Sequence, residues 1–311
     1  MILRTFFGNL AKNQIEEMLM DDLLYTLDID DLALLTNNCK KNAVNSLEAG
    51  QVIYLPAYAF ALQTEEKAQL LSDRILDGEH KNVSYDYRRQ LLGGVSKNKP
   101  SPLLKPFMKR FAEFAKNLVD CILPDYQNSL EFGRTSYRPA EIKGRSSSKR
   151  KDDTRLHVDA FPATPVNGRR ILRVFSNVNP YQEPRIWHLG EPFAQVLERF
   201  AAKISNYSPR RAKLLHWIKA TKTLRSAYDH YQLKLHDTMK LSESYQQSVH
   251  KHRIDFPAQS TWLVFTDQVS HAALGGQFLL EQTFYLPVEA MANPELSPLK
   301  CWEKEKAVAL V

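Results

Sequence analysis

Between Thr154 and Pro180 the chain reads TRLHVDAFPATPVNGRRILRVFSNVNP, and this stretch restricts the possible folds more than any other. Two runs carry the two-residue alternation of β-strands, joined by a turn containing proline and glycine. On the first run Arg155, His157, Asp159 and Phe161 share one face, while Leu156, Val158 and Ala160 take the other. Side chains two apart on a strand stand about 6–7 Å from each other on the same face. An imidazole and a carboxylate held in that way can grip one metal ion from adjacent corners. A second histidine arriving from elsewhere would complete the two-His, one-carboxylate facial triad of non-haem Fe(II) oxygenases.

That histidine has a candidate far along the chain. Residues 260–266 (STWLVFT) and 277–287 (QFLLEQTFYLP) are rich in aromatic and β-branched residues, as strands are. The short connection between them, Asp267-Gln268-Val269-Ser270-His271, ends in histidine where one strand turns into the next, as in a hairpin. His-x-Asp is a short motif, but it occurs once here and lies inside a strand pattern. His157, Asp159 and His271 are therefore the expected metal ligands. Three protein ligands leave coordination positions open, whereas a structural zinc site would be closed.

Oxygenases of this kind take electrons from a cosubstrate, most often 2-oxoglutarate. Its distal carboxylate calls for a buried Arg or Lys that binds it through charge-assisted hydrogen bonds. The stretch after His271, AALGGQFLLEQTFYLPVEAM, contains neither. Arg173 is the first substitute, because the strand 171–178 puts Arg173, Phe175 and Asn177 on one face, as if lining a polar cavity. There is a geometric condition. A tight hairpin at Asn167-Gly168 would turn Arg173 away from His157, so the two runs must lie in different sheets, crossing over as in a jelly roll. Pro162 and Pro165 favour that crossing. Arg138 is the second candidate, at the end of the probable strand 130–142 and beside Tyr137, a further polar candidate for the cosubstrate site.

The remaining chain reads as support. From 101 to 122 apolar residues recur at three- and four-residue steps, the spacing of a helix backing a sheet. Residues 64–75 and 192–202 also read as helices. So does 228–251, and His230, His236, His250 and His252, in it or at its end, lack the spacing of a closed metal site and read as surface histidines. The expected architecture is a mainly β core with flanking helices (α+β) in a single domain, 1–311. Residues 1–130 form a mostly helical flank, and 131–290 a jelly-roll core with a helical insertion at about 190–255.

Charge and composition bear on partners. The N-terminus lacks the pattern of a signal peptide, the longest apolar run is interrupted by Pro56, and the three cysteines are scattered, which together suggest the cytoplasm. A net charge of +7 favours nucleic acid, an anionic membrane or an acidic substrate, or simply solubility. No nucleic-acid-binding motif is present, so nucleic acid is not expected. The Ser- and Lys/Arg-rich run 143–153 is either a basic lid or a solvated loop. Residues 208–225, SPRRAKLLHWIKATKTLR, carry Trp217 and apolar residues among six cations and no acid. That is either an amphipathic helix lying on an anionic membrane or a packed helix with a solvated basic face.

The stretch RLHVDAFPATPVNGRRILRVFSNVNP, together with SYRPAEI and its Ser/Lys loop and WLVFTDQVSHAAL, resembles the Kdo hydroxylases of Gram-negative bacteria. The likeness covers most of the chain and is strongest from about Leu130 to Pro287. It implies a double-stranded β-helix (jelly roll, cupin-like) and an Fe(II)- and 2-oxoglutarate-dependent dioxygenase. Such an enzyme would hydroxylate C3 of Kdo (3-deoxy-D-manno-oct-2-ulosonic acid) in the lipopolysaccharide inner core, giving Ko. By the resemblance, His157, Asp159 and His271 hold iron, O2 is the second cosubstrate, and Kdo-bearing lipid A is the partner. The expected location is the cytoplasm, peripheral on the inner membrane. Two other readings stay open: an oxygenase of the same fold acting on nucleic acid or protein, and a non-catalytic β-sandwich binding module.

Overall fold

A computed structural model describes residues 23–96, 101–144 and 147–311. The N-terminal stretch read for targeting signals lies outside these residues, as does part of the Ser- and Lys/Arg-rich loop.

Two β-sheets face each other. The larger has eight strands in the order β1-β2-β9-β6-β11-β5-β3-β4, and the smaller three in the order β10-β7-β8. In chain order the strands are β1 (Leu24–Thr26), β2 (Val52–Leu55), β3 (Val83–Asp86), β4 (Leu91–Gly93), β5 (Glu131–Arg138), β6 (Arg170–Asn177), β7 (Arg185–Leu189), β8 (His252–Phe256), β9 (Thr261–Phe265), β10 (His271–Gly275) and β11 (Leu279–Leu286). The helices are α1 (Asn37–Glu48), α2 (Thr64–Leu70), α3 (Leu104–Ile122), α4 (Phe193–Phe200), α5 (Pro209–Trp217), α6 (Ala227–Leu241), α7 (Glu243–Ser248) and α8 (Pro298–Lys306). The first 130 residues thus supply strands β1–β4 to the large sheet as well as helices.

Each face of the large sheet has its own cover. On the outer face Leu172, Val174, Leu263 and Phe265 pack with Ala115, Leu118 and Val119 of α3. On the inner face Phe175, Trp262 and Val264 meet Trp187, Leu189, Ile254 and Phe256 of the small sheet. Trp262 stacks on Phe256 with centroids 4.1 Å apart and on Phe175 at 5.3 Å. β6 is consequently buried on both faces, which suits its run of apolar residues. The α3 stripe is buried as its periodicity predicts, from Leu104, Phe107 and Phe111 through Leu118. Burying each of these large side chains contributes about 1.5–3 kcal/mol relative to exposure.

The runs 154–161 and 171–178 do not pair with each other, as the jelly-roll crossing requires. Two other expectations fail: 154–161 is not a sheet strand, and 260–287 is not a hairpin. The run 154–161 opens in a turn and joins no sheet, and His157 alone forms a bridge, to His271. Its partner for a hairpin is taken, since β6 pairs with β9 on one edge and β11 on the other. Asn167 and Gly168 do make a tight turn, with φ of 52° and 81°, closed by a bond from Arg169 N–H to Val166 O. That turn delivers the chain into the large sheet instead of folding it back on the histidine run. Likewise β9, β10 and β11 are not a hairpin. β10 belongs to the small sheet, and β6 lies between β9 and β11 in the large one. The crossing after 154–161 is thus the expected one, and the step from β9 through β10 to β11 adds a second sheet-to-sheet crossing of a jelly roll.

Candidate active site

The crossings bring the distant residues together. His157 N–H donates to His271 O at 3.0 Å, and His271 N–H returns the bond to His157 O at 2.9 Å. Two residues on, Asp159 N–H donates to Thr266 O at 2.7 Å, so both ends of the segment are tied to the backbone around β9 and β10. Each imidazole also has a fixed orientation. His157 Nδ1 lies 2.8 Å from Arg155 O, and His271 Nδ1 lies 2.8 Å from Val269 O. A ring whose Nδ1–H donates to a carbonyl keeps its Nε2 lone pair free, as a metal ligand requires. His157 Nε2 is 3.7 Å from Asp159 Oδ1. One ligand atom from each of His157, Asp159 and His271 lies within 4.8 Å of the other two, and all three residues are buried.

Burial also sets the charge states. It pulls His157 down to about 3, outweighing Asp159. It lowers His271 in the same way. Both rings are therefore neutral near pH 7. Burial pushes the Asp159 carboxyl up, but Arg173 and the two histidines outweigh it and hold the group well below the usual carboxylate range. Two neutral imidazoles and a carboxylate, aimed at one point with room beside them, fit a divalent iron with open coordination positions.

Beside the triad lies a cavity of about 150 Å³ between the sheets, lined by Arg138, Arg173, Arg185, Phe175, Trp187, Asp153 and Glu281 among others. The charges run in a chain. Arg173 Nη2 stands 2.9 Å from Asp159 Oδ2, an ion pair without a well-directed hydrogen bond, since that oxygen accepts none. Arg173 Nη1 donates to Glu281 Oε1 at 3.0 Å. Arg138 donates to Glu281 Oε2 from Nε and Nη2, at 3.1 and 2.8 Å. Asp153, held near 2 against burial by Arg138, Lys81 and Lys240, lies at the edge of the same cavity.

Arg173 and Arg138 thus reach the cavity as expected, but each already has a carboxylate partner. Two other expected residues do not reach it. Tyr137 neighbours Arg138 on β5, so it points to the opposite face, donates to Leu70 O at 3.0 Å and packs on Phe107. Asn177 shares the parity of Arg173 but sits at the end of β6. Its Nδ2 donates to Glu183 O and Phe256 O, and its Oδ1 accepts from Asn179 N–H. Both are structural.

The residue missed from sequence is Arg185. It is buried, donates from Nη1 to Gly276 O at 2.7 Å, and its Nε has no partner. Among the described residues no carboxylate pairs with it, and burial, with Arg138 nearby, pulls its guanidinium below the usual range. One strand step away, Trp187 stacks on His271 at 5.1 Å and also leaves its indole N–H unpaired. The alternation Arg185-x-Trp187-x-Leu189 in a short strand was the available signal. Gly276 makes the arrangement possible: its φ is 101°, and a Cβ there would lie 2.8 Å from Pro184 O. A second departure concerns the histidines of 228–251. His230 is buried with its ring on Ser205 O, and His236 stands edge-on to His157 with centroids 5.3 Å apart.

A sequence profile of the family described as 3-deoxy-D-manno-oct-2-ulosonic acid (Kdo) hydroxylase matches residues 32–307. Among solved structures, the Kdo hydroxylase KdoO, a non-haem Fe(II) α-ketoglutarate-dependent dioxygenase, matches in several states. Its complex with α-ketoglutarate (2-oxoglutarate) and Fe(III) is 45% identical, covering 93% of this chain and 97% of that one, with a TM-score of 0.88. Its complex with cobalt(II) is 46% identical over the same shares, with a TM-score of 0.89. Its complex with succinate and Fe(III) is 46% identical, with a TM-score of 0.88. No curated protein matches the chain.

Proposed function

The chain belongs to the Kdo hydroxylase family of 2-oxoglutarate-dependent dioxygenases, and we propose that it hydroxylates C3 of Kdo to give Ko. His157, Asp159 and His271 hold Fe(II). The observation that carries this is the convergence of two Nε2 atoms and a carboxylate oxygen at the base of a cavity containing an arginine with no anion of its own. Bound Fe(II), with 2-oxoglutarate and O2, supplies the oxidising power for inserting oxygen into a C–H bond, leaving succinate and carbon dioxide.

The protein's own groups select and orient. Arg185 takes the distal carboxylate of 2-oxoglutarate, which relieves a buried, uncompensated charge. Trp187 N–H and Arg138 lie beside it as further donors. Arg173 is a positioning residue: it neutralises Asp159 and Glu281 together and fixes the carboxylate's second oxygen. Phe175 and Trp187 exclude water from one wall. Lys81 and Lys240 gather at Asp153, one of the residues lining the cavity, and add on that side the positive charge that a sugar acid favours.

The substrate form is Kdo-bearing lipid A, met at the anionic cytoplasmic face of the inner membrane. Among the described residues no helix is long and apolar enough to cross a membrane; the net charge of +7 supports attachment to an anionic surface. The readings as a nucleic-acid or protein oxygenase, or a silent binding module, are not favoured by the family match. Incubating the chain with Fe(II), 2-oxoglutarate and Kdo-bearing lipid A should add the mass of one oxygen atom to the lipid, and His157→Ala should abolish the gain. An unchanged lipid mass with the active iron-loaded chain would overturn the proposal.

A further inference from the structure

The helix α5 is well formed yet contributes almost nothing to the core. Ser208 caps it by accepting from Arg211 N–H, Pro209 opens it, and Ala212 is its one buried residue. It ends in a Schellman turn with Lys219 in the left-handed region at φ 58°. There Lys219 N–H donates to His216 O and Ala220 N–H to Leu215 O. At about 100° per residue, Leu214, Trp217 and Ile218 fall on the face opposite Ala212, with Arg210, Arg211 and Lys213 among and beside them. That face looks into solvent: Leu214 is 53% exposed, Trp217 79% and Ile218 54%, with Leu224 just beyond at 46%. Lys219 and Lys222 are exposed as well, and no acidic residue occurs between Glu198 and Asp229.

We infer that residues 208–225 form a docking surface for an anionic lipid bilayer, with Trp217, Leu214 and Ile218 entering the headgroup zone and the surrounding cations meeting lipid phosphates. The apolar residues need an occupant, because a solvated basic face has no use for an exposed tryptophan and three exposed aliphatics. The charge identifies it: aliphatic side chains interleaved with cations match hydrocarbon beneath anionic headgroups. A nucleic acid would offer phosphates but nothing to cover Leu214, Ile218 and Leu224.

The surface is also fixed beside the active site. Arg225 Nη2 donates to Pro162 O at 2.7 Å, and Lys222 N–H donates to Ala163 O at 2.9 Å. Both acceptors lie in the loop that leads from Asp159 to β6. The C-terminal end of the docking segment is therefore anchored to the chain that leaves the iron-binding Asp159, which suits a lipid-borne sugar. The inference rests on the reading that the substrate is a membrane lipid, but its test does not depend on the reaction.

The test is co-sedimentation of the full chain with vesicles of phosphatidylcholine containing phosphatidylglycerol, and with phosphatidylcholine alone. Binding should require the anionic lipid and weaken with salt. Each cation contributes roughly a fivefold gain in partitioning. Trp217→Ser with Ile218→Ser, or Arg210→Glu with Arg211→Glu and Lys213→Glu, should lower binding at least tenfold without moving the thermal midpoint. The same variants should lose turnover of Kdo-bearing lipid A in those vesicles, yet hydroxylate its deacylated, soluble saccharide like the parent. Variants that sediment like the parent, a parent that binds neutral vesicles equally well, or variants that lose only binding to duplex DNA would each overturn the inference. A parent that binds anionic vesicles but hydroxylates neither substrate would leave the docking surface standing and overturn the hydroxylase reading instead.

Discussion

Arg173 and Arg185 share one cavity and differ in what neutralises them. Arg173 sits between Asp159 and Glu281, so Arg173→Met leaves the buried Asp159 carboxylate without its cation and Glu281 with Arg138 alone. Destabilisation of roughly 3–5 kcal/mol is expected, with loss of iron, measured by urea unfolding and metal analysis. Among the described residues Arg185 has no carboxylate partner, so Arg185→Met should leave the ligand-free chain as stable as the parent. It should weaken 2-oxoglutarate binding about 10–100-fold, the worth of a charge-assisted hydrogen bond, as read by calorimetry with cobalt(II). If Arg185→Met binds 2-oxoglutarate normally, the anchor is misassigned. The triad was legible because strand parity and one repeated chemical theme sufficed to find it. Arg185 was not, because its importance lies in a missing partner, and an absence of pairing exists only in three dimensions.

The same residues give the metal-free chain a pH dependence. Burial holds His157 near 3 and lowers His271, whereas an unfolded imidazole takes its proton near pH 6.5. Acid therefore favours the unfolded chain. The stability associated with these neutral rings is intact above about pH 6.5 and is lost as pH falls toward 3. Urea unfolding of metal-free protein from pH 7 to about 4 should show that decline, and a flat profile would contradict the burial of both rings.

Among the elements, α6 matters more than its place in an insertion suggests. Asp229, which completes the capping box opened by Ser226, accepts from Ser226 N–H and Oγ. It also accepts from Val166 and Asn167 N–H at 2.7 and 3.1 Å. One carboxylate thus fastens the helix to the loop that leaves Asp159. Further along, Gln232 Nε2 donates to Asp267 O, His236 meets the His157 ring, and Lys240 approaches Asp153. Asp229→Ala breaks the capping box, though Ser226 Oγ still caps the helix, and leaves two loop N–H groups unpaired, for an expected loss on the order of 2–4 kcal/mol. Iron affinity should fall with it; a variant with parental iron affinity would detach α6 from the site's support. Helices such as α3 were readable because a one-sided apolar stripe is a local property. The strand pairing around 154–178 was not, because the alternation of two neighbouring runs is the same whether they pair with each other or with β9, β10 and β11. Prolines at 162 and 165 were the local hint of the crossing.

For the whole molecule, the two sheets hold an apolar floor of Phe175, Trp187, Phe256 and Trp262 directly under a heavily charged site. Removing water from that site costs stability until cation and cosubstrate arrive. Cobalt(II) with 2-oxoglutarate, each at a hundred times its dissociation constant, should each raise stability by about 2.7 kcal/mol. A scan insensitive to both would deny the site its ligands. The fold class and the two-sheet crossing followed from a few residues in sequence. The depth of the charge network did not, since Glu281 is one acid among many until β11 sets it between Arg138 and Arg173.

The central claim is that His157, Asp159 and His271 couple the oxidation of 2-oxoglutarate to hydroxylation of Kdo. The most direct measurement is turnover of Kdo-bearing lipid A under isotopically labelled dioxygen, with mass spectrometry of both products. One labelled atom should enter the sugar and one the succinate, in equal amounts, and Asp159→Ala should yield neither. Succinate formed without labelled sugar, or equal turnover by Asp159→Ala, would contradict the account.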